Sequence, residues 1–202
     1  GGEGGMLTTN NEEIYKYVLS YKDHGKNFDL LNKNNNKIGF KWVHESIGTN
    51  FRLTEIQSAI GRNQIKKMDD WNRLRERNAQ ILFKNLCDIP LLRIPLPRKG
   101  INHAWYRFYC YLKPQYLLSD WNRERIMGEI KKLGVDVFSG TCSEIYLEKC
   151  FIDLNYAPRE RLINAKELGE TSIAFLVHPT ISEAEQSKKA NIIRSVFKKA
   201  SK

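Results

Sequence analysis

The sequence predicts an α/β protein whose C-terminal part is a small sandwich of helices packed on a sheet, preceded by a long helix and a separate N-terminal strand and helix. Three observations carry this. Apolar residues recur at helical spacing at Ile14, Tyr17, Val18 and Tyr21, and again at Ile126, Met127, Ile130 and Leu133. Tyr106, Phe108, Cys110 and Leu112 alternate with Trp105, Arg107, Tyr109 and Tyr111, the period of a strand covered on at least one face. Capping signals, Thr54 with Gln57 and Ser182 with Glu185, stand ahead of two further helices.

In chain order, the glycine-rich turn Gly2 to Gly5 leads into a short strand over Met6 to Thr9. Asn10 with Glu13 marks a helix start, and Gly25 ends that helix. From Asp23 to Thr49 the chain turns polar, with Asn32 to Lys37 at its centre. A connection so much longer than the usual ~4–6 residues is functional or disordered. Past the Thr54 cap, Ile65, Met68, Leu74, Asn78, Ile81, Leu82 and Leu86 continue a long helix, which Pro90, Pro95 and Pro97 close off. The alternating strand comes next. After it stands the helix of Ile126 to Leu133, with Gly134 placed for a left-handed cap, then a strand over Val135 to Phe138. A helix over Arg159 to Leu168, a buried strand over Ile173 to Val177 and a final helix behind Ser182 complete the order. This divides the chain into residues 1–62, a linking helix over 63–97 and a small α/β domain over 98–202. A lone strand and helix cannot bury their apolar faces, so the first segment is expected to be marginally ordered unless something covers it.

A chain of 202 residues with 41% hydrophobic content can bury roughly 70% of its unfolded surface, enough for a real core. Cys87, Cys110, Cys142 and Cys150 lack paired C-x-x-C spacing, which argues for neither a disulfide framework nor zinc, and His24, His44, His103 and His178 never reach metal-ligand spacing. There is no apolar run long enough to span a membrane and no signal-peptide pattern, so the expected location is the cytoplasm. The net charge of +10 raises nucleic-acid binding as a reading. Along the long helix, however, Lys66, Lys67, Arg73, Arg75 and Arg77 alternate with Asp69, Asp70 and Glu76, the pattern of a solvated face. The denser cluster from Lys188 to Lys202 lies where cations complement a helix C-terminus.

The most informative stretch runs from Gly48 to Gln57. Thr54 and Gln57 have capping-box spacing, so the end of the loop is fixed and Asn50 and Arg52 project from it. An amide and a guanidinium one residue apart both donate hydrogen bonds, and the arginine does so as a planar fork suited to phosphate. On the residues alone, a phosphate grip and an ordinary solvated loop both remain open.

The order of these motifs narrows the choice. Gly2-Glu3-Gly4-Gly5, then Asn50-Phe51-Arg52-Leu53-Thr54-Glu55-Ile56-Gln57 with Ser58-Ala59-Ile60-Gly61 behind it, resembles the DegT-type (DegT/StrS) family of pyridoxal-phosphate-dependent sugar-nucleotide aminotransferases. His103-Ala104-Trp105-Tyr106, Lys132-Leu133-Gly134-Val135 and Val177-His178-Pro179-Thr180 extend the resemblance more weakly. It implies the C-terminal portion of a fold-type I transferase, with residues 1–62 a remnant of the large cofactor-binding domain. The Schiff-base lysine would lie upstream of Gly1, so no catalytic residue is expected in this chain and the chain alone is expected to be inactive. The implied cofactor is pyridoxal 5'-phosphate, contacted by Asn50 with Arg52 across the interface of a homodimer with shared active sites. The implied reaction moves an amino group, usually from glutamate, to a keto group of a nucleotide-linked deoxysugar for surface polysaccharide or glycan synthesis, with no membrane or nucleic-acid partner.

Two departures bear on substrate. Thr49 replaces the usual aromatic, and after the Gly134-Val135 strand the chain reads Phe138-Ser139-Gly140-Thr141-Cys142-Ser143-Glu144, without the family's histidine. Ser139, Ser143 and His103 are therefore the substrate-contact candidates. A non-catalytic assembly or dimerisation domain and a basic nucleic-acid-binding module are the alternatives from other classes.

Overall fold

The computed structural model describes residues 1–33, 38–140 and 142–202. Part of the polar run at Asn32 to Lys37, and Thr141, thus lie outside the described residues. The chain forms two compact units, Gly1–Lys67 and Met68–Lys202.

Unit 1 contains three helices, α1 (Glu12–Tyr21), α2 (Phe28–Lys33) and α3 (Glu55–Ile65). The cap of α1 is Asn11, not Asn10: its side chain accepts from the Ile14 N–H, and two acidic residues follow in the first turn. Met6 to Thr9 forms no strand, since no neighbouring strand offers it a ladder. Helix α2 falls inside the stretch expected to be loop. Its start is fixed by Asn27, whose Oδ1 accepts from the N–H groups of Asp29 and Leu30, a cap hidden among many asparagines. Among the described residues of this unit Val43 is the one buried apolar side chain, and Met6, Leu7, Phe40, Trp42, Ile47 and Ile56 are exposed.

Unit 2 begins with α4 (Met68–Leu86) and continues through β1 (Leu92–Arg93), β2 (Phe108–Leu112), α5 (Arg123–Lys132), β3 (Val137–Phe138), α6 (Lys149–Asp153), α7 (Ile163–Thr171), β4 (Ser172–Phe175) and α8 (Glu183–Ala200). The helix expected to link two domains over 63–97 is not continuous: residues 63–65 end α3 in unit 1, the helix breaks at Lys66 and Lys67, and α4 packs within unit 2. Its apolar stripe explains why: Ala79, Leu82 and Leu86 are buried in one core with Ile193, Val196 and Phe197 of α8. The strands form one antiparallel sheet in the order β1-β2-β4-β3. Phe108 opposite Phe175 and Cys110 opposite Ile173 point into the core with Ile126 and Ile130 of α5. On the other face lie Tyr109 opposite Ala174, Tyr111 opposite Ser172 and Arg93, and Phe138 opposite Ala174.

Several local readings need correcting. Trp105 is buried at 4% exposure and Tyr106 is 72% exposed, the reverse of the expected alternation. Trp105 takes φ 45°, so the strand starts only at Phe108. That conformation is rare for a bulky residue. It is held by the Trp105 N–H donating to His103 Nδ1, the indole N–H donating to Glu76, and Arg75 donating to the Trp105 carbonyl. The two-residue β1 hides between prolines, where an edge strand tolerates them. Helix α7 starts four residues later than expected, because Arg161 is drawn back to Glu144. Gly134 adopts φ 80° after α5, and the Val135 N–H returns to the Ile130 carbonyl, as the left-handed cap requires. Ser182 caps α8 through the Glu185 N–H. All four cysteines are free thiols.

Candidate functional site

The loop carrying Asn50 and Arg52 is fixed from two sides. At its C-terminal end the capping box forms in full: Thr54 Oγ1 accepts from the Gln57 N–H, and Gln57 Oε1 accepts from the Thr54 N–H at 3.1 Å. At its N-terminal end the loop runs antiparallel to the residues just after α1. The Thr49 N–H donates to Tyr21 O at 2.7 Å, the His24 N–H to Thr49 O at 3.2 Å, and the Phe51 N–H to Lys22 O at 2.9 Å. Gly48 makes this zipper possible. A Cβ there would stand 2.3 Å from Gly25 N and 2.6 Å from Tyr21 O, both backbone atoms.

Asn50 and Arg52 act on each other first. Asn50 Oδ1 accepts from the Arg52 backbone N–H at 3.3 Å and from its Nε at 3.2 Å, which leaves the Asn50 amide N–H groups to donate outward. Arg52 Nη1 lies 3.5 Å from Asp23 Oδ1, and Nη2 lies 3.3 Å from His24 Nε2, which accepts from it. Lys26 donates to the same Asp23 oxygen at 3.0 Å, and that hydrogen bond is the main reason the Asp23 carboxyl is held below its ordinary value. Asp23, buried and ionised, thus orients Arg52 while both Asn50 and Arg52 stay exposed. The sequence reading missed Asp23 and His24; the signal was the Asp-His-Gly turn at the end of α1.

It also missed the second role of Gln57. The side chain that caps α3 with its oxygen donates with its nitrogen to Gly1 O at 2.9 Å and Glu3 O at 3.1 Å, fastening the glycine-rich segment to the loop. Gln57→Glu keeps the capping oxygen and sets a carboxylate against those two carbonyls. The expected result is that backbone order parameters of Gly2, Gly4 and Gly5 fall below about 0.6 while those of α3 remain near ~0.85. Equal order in the two proteins would refute the bracket.

In unit 2, Ser139 is exposed and its carbonyl accepts from Ser172 Oγ at 2.5 Å. Gly140 follows at φ 90°, where a Cβ would meet Ser172. Ser143 is half-buried against Gly169 and lines a cleft of about 220 Å³ with Tyr109, Tyr111, Leu168 and Ser172. His103 spends its Nδ1 on the Trp105 turn and packs its ring 4.5 Å from the indole. Ser139 and Ser143 thus belong to one anchored loop, and His103 belongs to a different turn.

Beyond Ser143 the chain makes an excursion that carries α6 and the exposed side chains Ile145, Leu147, Leu154 and Tyr156. Its neck is closed by Arg161 donating to both Glu144 oxygens at 2.7 Å, with Tyr146 donating to Glu144 at 2.6 Å and accepting from the Leu162 N–H. The Arg161 bond, then that of Tyr146, pull the Glu144 pKa from 4.5 to about 2. A carboxyl depressed on folding stabilises above its unfolded pKa and loses that contribution as pH falls through the folded one. The Glu144 contribution is therefore lost between about pH 4.5 and about 2. Urea midpoints of wild type and Glu144→Gln are expected to differ above that window and converge below it; a constant difference would count against the clasp.

Among the described residues no group of three or more metal-ligating side chains gathers, and no helix is long and apolar enough to cross a membrane.

Residues 1–194 match the model of the DegT/DnrJ/EryC1/StrS aminotransferase family. The chain belongs to that family. It superposes on the X-ray structure of the aminotransferase from Psychrobacter cryohalolentis with a TM-score of 0.87 at 40% identity, covering 96% of this chain and 51% of that one. Helicobacter pylori PseC, described as an aminotransferase involved in the biosynthesis of pseudoaminic acid, shares the fold at TM-score 0.77 and 21% identity, over 95% of this chain and 48% of that one. The spore coat polysaccharide biosynthesis protein SpsC of Bacillus subtilis is 31% identical over 107 residues, 53% of this chain and 28% of that protein. The chain spans about half the length of the curated relatives it matches. Its fold is that of the C-terminal portion of the fold-type I pyridoxal-phosphate aminotransferases.

Proposed function

We propose that this chain is the C-terminal half of a pyridoxal-phosphate-dependent aminotransferase that moves an amino group, with glutamate as donor, to a keto group of a nucleotide-linked deoxysugar for polysaccharide or glycan synthesis. The observation that carries this reading is the doubly anchored loop that presents Asn50 and Arg52 together. Its donor set fits a phosphate dianion: outward amide N–H groups, and a guanidinium whose inner edge is already held by Asp23 and His24.

Pyridoxal phosphate, when bound, supplies the electron sink for amino transfer. The work of these residues is positional. Asn50 and Arg52 hold the anionic tail of the cofactor, and the zipper at Gly48 with the cap at Thr54 keeps them from moving during turnover. In this proposal the loop serves the cofactor of a second protomer, Ser139, Ser143 and His103 serve the sugar, and the enzyme works in the cytoplasm as a homodimer.

Mixing this chain with a lysine-bearing N-terminal half and pyridoxal phosphate tests the reading. The mixture is expected to develop the visible absorbance of lysine-bound pyridoxal and to convert glutamate to 2-oxoglutarate in the presence of a nucleotide-linked keto sugar, whereas the chain alone does neither. No colour and no 2-oxoglutarate from the mixture would sink it.

A further inference from the structure

Arg107 and Arg93 are the two arginines of unit 2 that, among the described residues, stack on an aromatic ring and enter no ion pair, and of the two Arg107 is the one beside the Ser139 loop. Its guanidinium carbon lies 3.9 Å from the centroid of the Phe138 ring and 5.4 Å from that of Tyr106. Ion pairs among the described residues of this unit engage Arg73, Arg123, Arg125, Arg161 and Arg194, and Arg107 is in none of them. Stacking covers the faces of a guanidinium and leaves its in-plane N–H donors at the edge, where they match a planar or tetrahedral anion with two oxygens.

The support beneath it is stiff. Phe138 is opposite Ala174 in the central strand β4, and the next residue, Ser139, is tied to Ser172 by the 2.5 Å bond. Gly140 then brings the backbone against Ser172, too close for a side chain, with the Tyr109 ring in ordinary contact at 3.5 Å. Arg107 precedes the strand, and its stacking on Phe138 places the guanidinium on the sheet face that carries Phe138, Tyr109 and Tyr111, not the face packed into the core. A half-buried cation, held by an aromatic ring at the root of an anchored loop, is arranged to receive a negative group.

We infer that Arg107 is a specificity-determining residue that binds an anionic group of a substrate, a carboxylate or a phosphate, beside the Ser139 loop. This rests on the aminotransferase reading and deepens it. The two half-reactions of amino transfer separate the sources. A carboxylate would belong to the amino donor, and a phosphate to the nucleotide-linked acceptor.

The test uses Arg107→Gln, which removes the charge, and Arg107→Lys, which keeps the charge but not the fork, in the reconstituted enzyme. With Arg107→Gln the KM for one of the two substrates is expected to rise at least about tenfold, with kcat and the melting temperature little changed and with partial recovery in Arg107→Lys. The substrate whose KM rises identifies the anion. Both KM values unchanged would overturn the inference while leaving the aminotransferase reading intact, and no transamination by wild type would overturn that reading instead. A second measurement does not depend on turnover. Titration of this chain with inorganic pyrophosphate and, separately, with glutarate is expected to give saturable amide shifts at Phe138 and Ser139 with one of them, lost in Arg107→Gln. Shifts that survive the substitution, or none with either anion, would overturn the assignment.

Discussion

Alanine at position 48 is expected to weaken pyridoxal-phosphate binding by roughly ten- to a hundredfold. The added carbon would stand 2.3 Å from Gly25 N and 2.6 Å from Tyr21 O, and neither atom can move without breaking the zipper that aligns residues 48 to 52 with the end of α1. Overpacking of this kind costs about 1–3 kcal/mol, and the loop relieves it by shifting, which takes Asn50 and Arg52 with it. Gly61, on helix α3, has no heavy atom within 4 Å of the Cβ it would gain, so Gly61→Ala is the matched control and should leave binding unchanged. Cofactor titration of both variants by absorbance decides the matter. Equal dissociation constants would mean that close backbone approach at Gly48 does not position the site.

The second large effect concerns the sign of a charge. Asn50→Ala removes the outward amide donor and the acceptor that holds Arg52, and loss of a hydrogen bond to a charged group costs about 1.5–3 kcal/mol, roughly ten- to a hundredfold in affinity. Asn50→Asp keeps an acceptor for Arg52, and pairs with it more strongly, yet turns a carboxylate oxygen toward the anion. If the loop grips a phosphate, aspartate must bind the cofactor worse than alanine does, although it holds the arginine better. If it only braces Arg52, the order reverses. Dissociation constants for pyridoxal phosphate in the two variants, with melting temperatures alongside, distinguish the cases.

What was legible in the sequence and what was not divides along physical lines. The long amphipathic helices, the Phe108 to Leu112 strand and the caps at Thr54 and Ser182 could be read because each is set by side chains within one or two turns. Strand β1 could not, because two residues pair only through Leu112 and Tyr111, which lie far along the chain. The reversal of Trp105 and Tyr106 was hidden for a similar reason: an unfavourable backbone angle is held by Glu76 and Arg75, some thirty residues earlier. At the site, Asn50 and Arg52 stood out as a motif, but nothing local showed that Asp23 and His24 orient the guanidinium or that Gln57 reaches back to Gly1 and Glu3. The asparagine cap of α2 was lost in a run of asparagines, where composition outweighs position.

The clasp between Glu144 and Arg161 has a consequence for how the protein can change. Everything between those two residues hangs from one neck, whose two ends are tied to each other by a two-pronged ion pair and a tyrosine hydroxyl. The intervening stretch is thus a cassette. It can be lengthened, shortened or grafted from a homologue without re-registering the strands, which gives evolution and engineering a place to vary the chain while the scaffold stays the same.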